Sequence, residues 1–306
     1  MAIRNFYQQK TFEDVSEKTM ENYEELFKQF QKYCSDDQII DVADITSNVI
    51  KGFLLYCRDE RGNKPGSLDF KLRILKTFFN FLVEENVIKE SPAKKIKYQN
   101  RKPEIQVFND QQVDAMLNYF ASFKLQLNTF FGYRDYTIFK TLLLSGLRLG
   151  EISNLQWVKI DFKEGEMRVF GKQRKEVKVF INEELENVLL DYQTVVEQKF
   201  KKLPEYVFIN RKGERLGENG VAQVFKRVKK HMIEDPKTKR IFKNMPRISP
   251  HTARHYFCSK AVTSQNYNVF EIQQLMRHKS IQTTQRYVHI FENDLKDKFK
   301  KFNPLG

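Results

Sequence analysis

The last quarter of the chain holds a run of residue types suited to phosphate chemistry. His251 and Arg254 stand in Ser249-Pro250-His251-Thr252-Ala253-Arg254-His255; His278 follows Met276-Arg277, and Tyr287 ends Thr283-Thr284-Gln285-Arg286-Tyr287. No acidic metal-ligand cluster lies between them. Two histidines, an arginine and a tyrosine suit attack by a tyrosine hydroxyl on a phosphodiester, with cations holding the phosphate. Ser249 can cap a helix and Pro250 fits its first turn, where the missing N–H costs nothing. His251 and Arg254 then share one helical face near an N-terminus, a place that favours anions. Ser280 can cap a further short helix presenting Tyr287, with His278 just before that cap. Taken singly, a histidine or tyrosine is more often a satisfied structural residue; the combination carries the signal.

Such residues need a scaffold, and the composition supplies one. The chain has 306 residues, 41% hydrophobic and 13% aromatic, which argues against disorder and for two domains with real cores. The formal net charge of +14 points first to nucleic acid and second to an anionic membrane surface. The first ten residues have no apolar core, so they do not read as a secretory signal, and no apolar run approaches the length of a membrane span. Cys34, Cys57 and Cys258 are odd in number and far apart, signalling neither zinc nor a disulfide framework. Free thiols fit a reducing cytoplasm.

The first third predicts helices. Met20, Tyr23, Phe27, Phe30 and Cys34 make one apolar face; Thr46 or Ser47 can cap a second helix with Val49, Ile50, Phe53, Leu54 and Cys57. Both cysteines there read as core filling. A third helix carries Leu68, Leu72, Leu75, Phe79 and Leu82, with Lys71 and Lys76 off the stripe, either on DNA phosphates or on a solvated face. From Ser91 to Pro103 prolines at both ends, many cations (Lys94 and Lys95 among them) and no periodicity read as a linker that could lie along a phosphate backbone. The boundaries expected are a helical domain over 1–98, a basic linker over 99–106 and a second domain over 107–306.

A helix is predicted from Asn109, with Gln112 at the capping-box distance, and another from Tyr136 to Leu144, broken at Ser145-Gly146. Met167-Arg168-Val169 and Val177 to Ile181 alternate as strands, joined by Gly171-Lys172-Gln173-Arg174-Lys175; Val158 to Phe162 can supply a third strand. Helices follow over Glu183 to Phe200 and Gly220 to His231. The fold class is mainly α with a small antiparallel β-sheet.

At these residues the sequence resembles the tyrosine recombinases, or phage integrase family, and its Xer-type members in particular. The resemblance rests on His251-x-x-Arg254-His255, His278 with Tyr287 nine residues on, and Ser145-Gly146-Leu147-Arg148-Leu149-Gly150-Glu151. Arg134-Asp135, Leu155-x-Trp157, Gly171-Lys172 and Ser91-Pro92-Ala93-Lys94 fit the same pattern, so the likeness spans nearly the whole chain. One departure stands out: the family usually has glycine before the second histidine, where this chain has Arg277. Glycine there favours a helix end with positive φ, which arginine adopts at modest cost. The Arg277 guanidinium then either adds a phosphate contact or lies on the surface.

The resemblance implies a helical core-binding domain followed by a mixed α/β catalytic domain, and a DNA strand-exchange enzyme. It implies Tyr287 as nucleophile, Arg148 and Arg254 as forks on the non-bridging oxygens, and His278 as a further donor. His251 becomes the base or hydrogen-bond partner of Tyr287, whose reference pKa near 10 demands help. His255 supports the site. Lys172 is the family's acid for the leaving 5′ oxygen, with Arg174 and Lys175 as rivals. Glu151 either buttresses an active-site side chain or is an ordinary surface carboxylate. The product would be a 3′-phosphotyrosyl link, exchanged through a Holliday junction with neither cofactor nor metal. The partner would be double-stranded DNA with paired inverted sites, two protomers on each and four in the synapse, joined by a C-terminal helix with Leu295, Phe299 and Phe302 on one stripe. No arm-binding domain is expected before the core-binding region, and no activating partner is legible. A DNA-binding module of the same fold without strand exchange is the alternative.

Overall fold

The computed structural model describes residues 2–98, 105–127, 129–170, 176–243, 247–264, 266–285 and 287. The chain divides into two compact units, Met1–Pro103 and Glu104–Gly306. The expectations for Lys172, Arg174, Lys175 and the stripe of Leu295, Phe299 and Phe302 fall outside the described residues, as does most of the proposed linker.

The first unit is built of helices α1 (Ala2–Phe12), α2 (Glu17–Asp36), α3 (Ser47–Asp59) and α4 (Pro65–Glu84). The sequence marks their starts: Ser16 and Thr46 accept from the Thr19 and Val49 N–H groups, and Pro65 occupies the first turn of α4. Helix α1 was not expected. Its deepest residue is Phe6, which is fully buried and meets Phe27 and Phe78 edge-on, each at 5.5 Å between ring centroids, while Ala2, Ile3 and Tyr7 pack beside it. Such edge contacts each add about 0.5–1.5 kcal/mol to area burial. Cys34 and Cys57 lie in this core as expected.

Two readings of the first unit need correction. The segment after Ser91 is not a free linker at its start: Ser91, Ala93 and Ile96 are buried, and Ser47 Oγ donates to the Pro92 carbonyl. Lys71 is neither a plain solvated lysine nor an open phosphate ligand. It is half-buried, donates to Gln29 Oε1 at 2.6 Å, and burial holds its pKa below the ordinary lysine value. Lys76 is partly covered and lies 4.7 Å from the centre of the Tyr98 ring. Lys94 and Lys95 are exposed, Lys94 facing Glu90 at 3.4 Å.

The second unit is organised around one helix. Its elements are α5 (Asp110–Leu127), α6 (Phe130–Ser145), α7 (Leu149–Ser153), β1 (Ile160–Asp161), β2 (Glu166–Phe170), β3 (Glu176–Phe180), α8 (Glu183–Phe200), α9 (Glu218–Glu234), α10 (Pro236–Lys239), α11 (Pro250–Thr263), α12 (Val269–Leu275) and α13 (Ile281–Gln285). Helix α6 is buried on nearly every face, so it is the central rod against which α5, α8 and α11 pack. Arg134 and Asp135 fold inward at its start: Arg134 donates to Asp135 at 2.8 Å and to the Ile209 carbonyl at 3.1 Å. Asn109 and Gln112 form the expected reciprocal cap of α5. The antiparallel sheet runs β1-β2-β3, with Met167 opposite Val179. The third strand is shorter than expected because a 3-10 turn over Trp157–Lys159 takes its beginning.

Helix α6 ends where it must. Gly146 caps it at φ 57°, and a Cβ there would lie 2.4 Å from Phe257 Cδ1. That glycine lets α11 approach the end of α6 and frees the Gly146 carbonyl to face the site. Among the described residues no helix is long and apolar enough to cross a membrane, and no cluster of metal-binding side chains is found.

Candidate active site

Three chain segments converge at the end of α6. The first is the turn into α7. Arg148 is the N-cap of α7 in extended conformation, and Glu151, three residues on, reaches back to accept the Arg148 N–H at 2.9 Å. The other Glu151 oxygen accepts from Arg148 Nη1 at 2.5 Å. Glu151 is only 5% exposed, so it is not an ordinary surface carboxylate. Burial pushes its pKa up, but the Arg277 and Arg148 guanidiniums outweigh burial and hold the carboxyl below the usual range.

Helix α11 is the second segment. Ser249 Oγ accepts from the Thr252 N–H at 3.2 Å, fixing the helix start predicted for it. Arg254 lies one turn in, 4% exposed, and its two terminal nitrogens donate to the carbonyls of Gly146 and Met276. Burial, with the neighbouring Arg148 and Arg277, pulls its pKa down to about 9, still far enough above neutrality to keep it charged.

The third segment is the turn from α12 to α13. Helix α12, which was not expected, is set by a reciprocal cap between Asn268 and Glu271. It delivers the Met276 and Arg277 carbonyls to the site. Arg148 Nη2 donates to the Arg277 carbonyl at 2.6 Å, so Arg148 and Arg254 are held on successive carbonyls of one turn. His278 sits directly after it, and its Nδ1 is 2.9 Å from Thr284 Oγ1 on α13. Tyr287 follows α13, its N–H donating to the Thr284 carbonyl at 2.9 Å. Its hydroxyl is hydrogen-bonded to His255 Nδ1.

The geometry thus brings together Arg148, Glu151, His251, Arg254, His255, His278 and Tyr287. It adds a partner for Tyr287 and a place for Arg277. His255 meets the Tyr287 hydroxyl, and the His251 ring packs edge-on against His255 at 4.2 Å. The signal was present, since residues four apart share a helical face. Arg277 is neither a surface arginine nor an open phosphate contact: its side chain is 8% exposed and donates to Glu151. Its backbone does take the expected left-handed conformation, at φ 53°. Thr284, 1% exposed, was missed, because a lone threonine in a polar segment has no periodicity to mark it.

Tyr287 is 2% exposed, so a duplex phosphate cannot reach its hydroxyl in this arrangement. Cys258 packs beside it, and burial pushes the thiol up to about 12, leaving it unreactive.

His278 carries a pH signature. Burial first, then Arg254, Arg148, Arg277 and His251, pull its pKa from 6.5 to about 4. It is neutral at pH 7 and can donate one ring proton. Between pH 6.5 and 4 the unfolded chain binds this proton more readily than the folded one, so stability falls on acidification through that window. Urea unfolding from pH 7 to pH 4 is expected to show this loss, and His278→Gln is expected to remove part of it. An identical acid profile for the variant would contradict the burial of a neutral imidazole.

Comparison with known proteins agrees with this geometry. Residues 106–294 match the phage integrase family, and residues 2–99 match the phage integrase SAM-like domain. The tyrosine recombinase XerD of Listeria innocua is 27% identical over 297 residues, covering 95% of this chain and 94% of that protein. The XerD of Staphylococcus aureus is 26% identical over 295 residues, with the same coverage of both chains. Among solved structures, the Tn1549 transposon integrase in complex with transposon right end DNA superposes with a TM-score of 0.75 at 17% identity, covering 98% of each chain. A lambda integrase dimer bound to a COC′ core site gives 0.66 at 16% identity, over 92% of this chain and 94% of that one. At such identities the two structures speak for the fold alone, whereas the family matches span both units. The chain belongs to the phage integrase family.

Proposed function

We propose that this chain is a site-specific recombinase that cuts and rejoins DNA through Tyr287. The observation that carries the proposal is the meeting of Arg148 and Arg254 on the Met276 and Arg277 carbonyls, beside His278 and within one unit with Tyr287. Two fixed guanidiniums and a neutral imidazole form a preorganised pocket for a phosphodiester and for the charge that attack builds on it. The Tyr287 oxygen attacks phosphorus while its proton passes to His255 or, through a shift of the two rings, to His251. The bond from phosphorus to the 5′ oxygen breaks, and that oxygen takes a proton from a cation, for which Lys172 is the family's residue. A 3′-phosphotyrosyl link and a 5′-hydroxyl remain. The link conserves the bond energy, so a 5′-hydroxyl from a second duplex reverses the step and exchanges strands through a Holliday junction.

Double-stranded DNA is the partner, and the net charge of +14 supports it. Two protomers on paired inverted sites and four in a synapse follow from this reading, with the stripe of Leu295, Phe299 and Phe302 docking on a neighbour. A groove of about 730 Å³ in the second unit, lined in part by Phe180, Phe257, Tyr267 and Leu275, offers apolar chemistry of the kind that stripe needs. Deleting the residues after Phe291 is expected to leave binding to single sites and abolish assembly of four protomers on paired sites.

The reaction is tested by incubating the protein with sheared genomic DNA of its source, without divalent metal, and recovering protein-linked fragments under denaturing conditions. Fragments sharing one sequence are expected. Their absence, with DNA still bound under native conditions, would favour a binding module without strand exchange.

Thr284 bears on the same step. For His278 to offer Nε2–H to the phosphate, Nδ1 must accept, and the buried Thr284 hydroxyl is placed to donate to it. Thr284→Val keeps the shape and removes that donor. Single-turnover cleavage is expected to slow by roughly tenfold or more, within the range for outer-shell partners, with Thr284→Ser restoring most of the rate. Equal rates for Thr284→Val and the parent would show that the hydroxyl does not set the tautomer.

A further inference from the structure

Arg277 stands where the family usually has glycine, and it brings a third guanidinium into the site. Its Nη2 donates to Glu151 Oε2 at 3.0 Å and to the Gly146 carbonyl at 3.1 Å, and its Nη1 donates to the Leu275 carbonyl at 2.9 Å. The side chain therefore ties the start of α7, the cap of α6 and the end of α12. Glu151 divides its two oxygens: Oε1 faces Arg148, while Oε2 accepts from Arg277 and from the Arg148 N–H.

That division has an electrostatic consequence. A carboxylate bound to one guanidinium fixes its direction but also cancels its charge, which is what a phosphate ligand must supply. With Arg277 on the far oxygen, the trio Arg148, Glu151 and Arg277 keeps a formal charge of +1. With glycine at position 277 the remaining pair would be neutral. Charges this close and this buried are poorly screened by salt, so the difference is felt where the phosphate binds.

We propose that Arg277 is a positioning residue: it holds Glu151 from the side opposite Arg148, so that Arg148 is oriented by the carboxylate yet keeps its positive charge for the scissile phosphate. This role rests on the reading of Arg148 as a phosphate ligand. The arrangement carries two local costs. Arg277 takes φ 53°, and its Nε–H is buried without a partner among the described residues. Glycine carries neither, so Arg277→Gly removes the guanidinium while relaxing the turn. The backbone carbonyl that Arg148 uses remains in place.

The test uses full-length protein and a nicked duplex carrying the sequence recovered by covalent capture. Arg277→Gly is expected to slow single-turnover cleavage about ten- to a hundredfold, the range for outer-shell partners, with DNA affinity and thermal stability retained. Arg277→Lys, which keeps a cation beside Glu151, is expected to recover most of the rate. Glu151→Gln is expected to slow the reaction on its own. Combined with Arg277→Gly it should cost little more, because the uncompensated charge is then gone; strong non-additivity is the sign of one shared interaction. An Arg277→Gly protein as fast as its parent, or rate losses that multiply in the double variant, would overturn this role. A parent protein that forms no covalent adduct on any DNA overturns the underlying reaction, and this role with it.

Discussion

Replacing Tyr287 by phenylalanine is expected to abolish covalent capture of DNA, by at least about 10⁴-fold, because no nearby group can take the place of a lost nucleophile. The structure sharpens this expectation. The substitution removes one oxygen from a ring that packs in a small core with Cys258, Val262, Ile272 and Met276. That packing survives in phenylalanine, so the fold should be unchanged. The lost hydrogen bond to His255 costs about 1 kcal/mol. DNA affinity should therefore stay within about twofold, since phosphate contacts made by cations dominate it. Filter binding and denaturing gels on the same DNA separate the two effects. A Tyr287→Phe protein that still forms the adduct would mean that another residue attacks.

Arg254→Met is expected to slow cleavage by about 10²–10³-fold, the usual loss when one donor to a developing oxyanion is removed. Its effect on stability should be small, and the reason is instructive. Arg254 makes charge-assisted hydrogen bonds to the Gly146 and Met276 carbonyls, worth about 1.5–3 kcal/mol each. Against them stand its burial and its repulsion from Arg148 and Arg277. A pKa drawn from 12.5 to about 9 corresponds to roughly 5 kcal/mol of unfavourable electrostatics. The two effects oppose each other, so thermal unfolding is expected to move far less than activity. That pattern marks a residue kept for function at little benefit to folding. A large loss of stability with activity retained at low temperature would make Arg254 a structural residue instead.

Much of this fold and site is legible in the sequence. Caps with a physical mechanism mark the helix starts: Ser249 with Pro250 for α11, Asn109 with Gln112 for α5, and, of the two candidates Thr46 and Ser47, Thr46 for α3. The break at Gly146 was visible because glycine alone tolerates both the positive φ and the approach of Phe257. The sequence could not show which histidine meets Tyr287, because His251 and His255 lie one turn apart on one face and rotamers decide between them. Nor could it show that backbone carbonyls hold both arginines, since carbonyls leave no trace in residue type. Helix α1 escaped because its apolar residues, Ala2, Ile3, Phe6 and Tyr7, sit among polar ones without a sustained stripe, and only Phe6 is fully buried. Arg277 was rightly noticed as a departure and wrongly placed, because a guanidinium looks like a surface group until its carboxylate partner is found 126 positions earlier in the chain.

If Tyr287 attacks a DNA phosphodiester, it keeps the 3′ phosphate. Mass spectrometry of the trapped adduct, after digestion with trypsin and nuclease, tests it most directly. A nucleotide remnant is expected on the tryptic peptide containing Tyr287, with the freed DNA end bearing a 5′-hydroxyl that polynucleotide kinase can label. A remnant on any other residue, or a freed end with a 5′ phosphate, would contradict it.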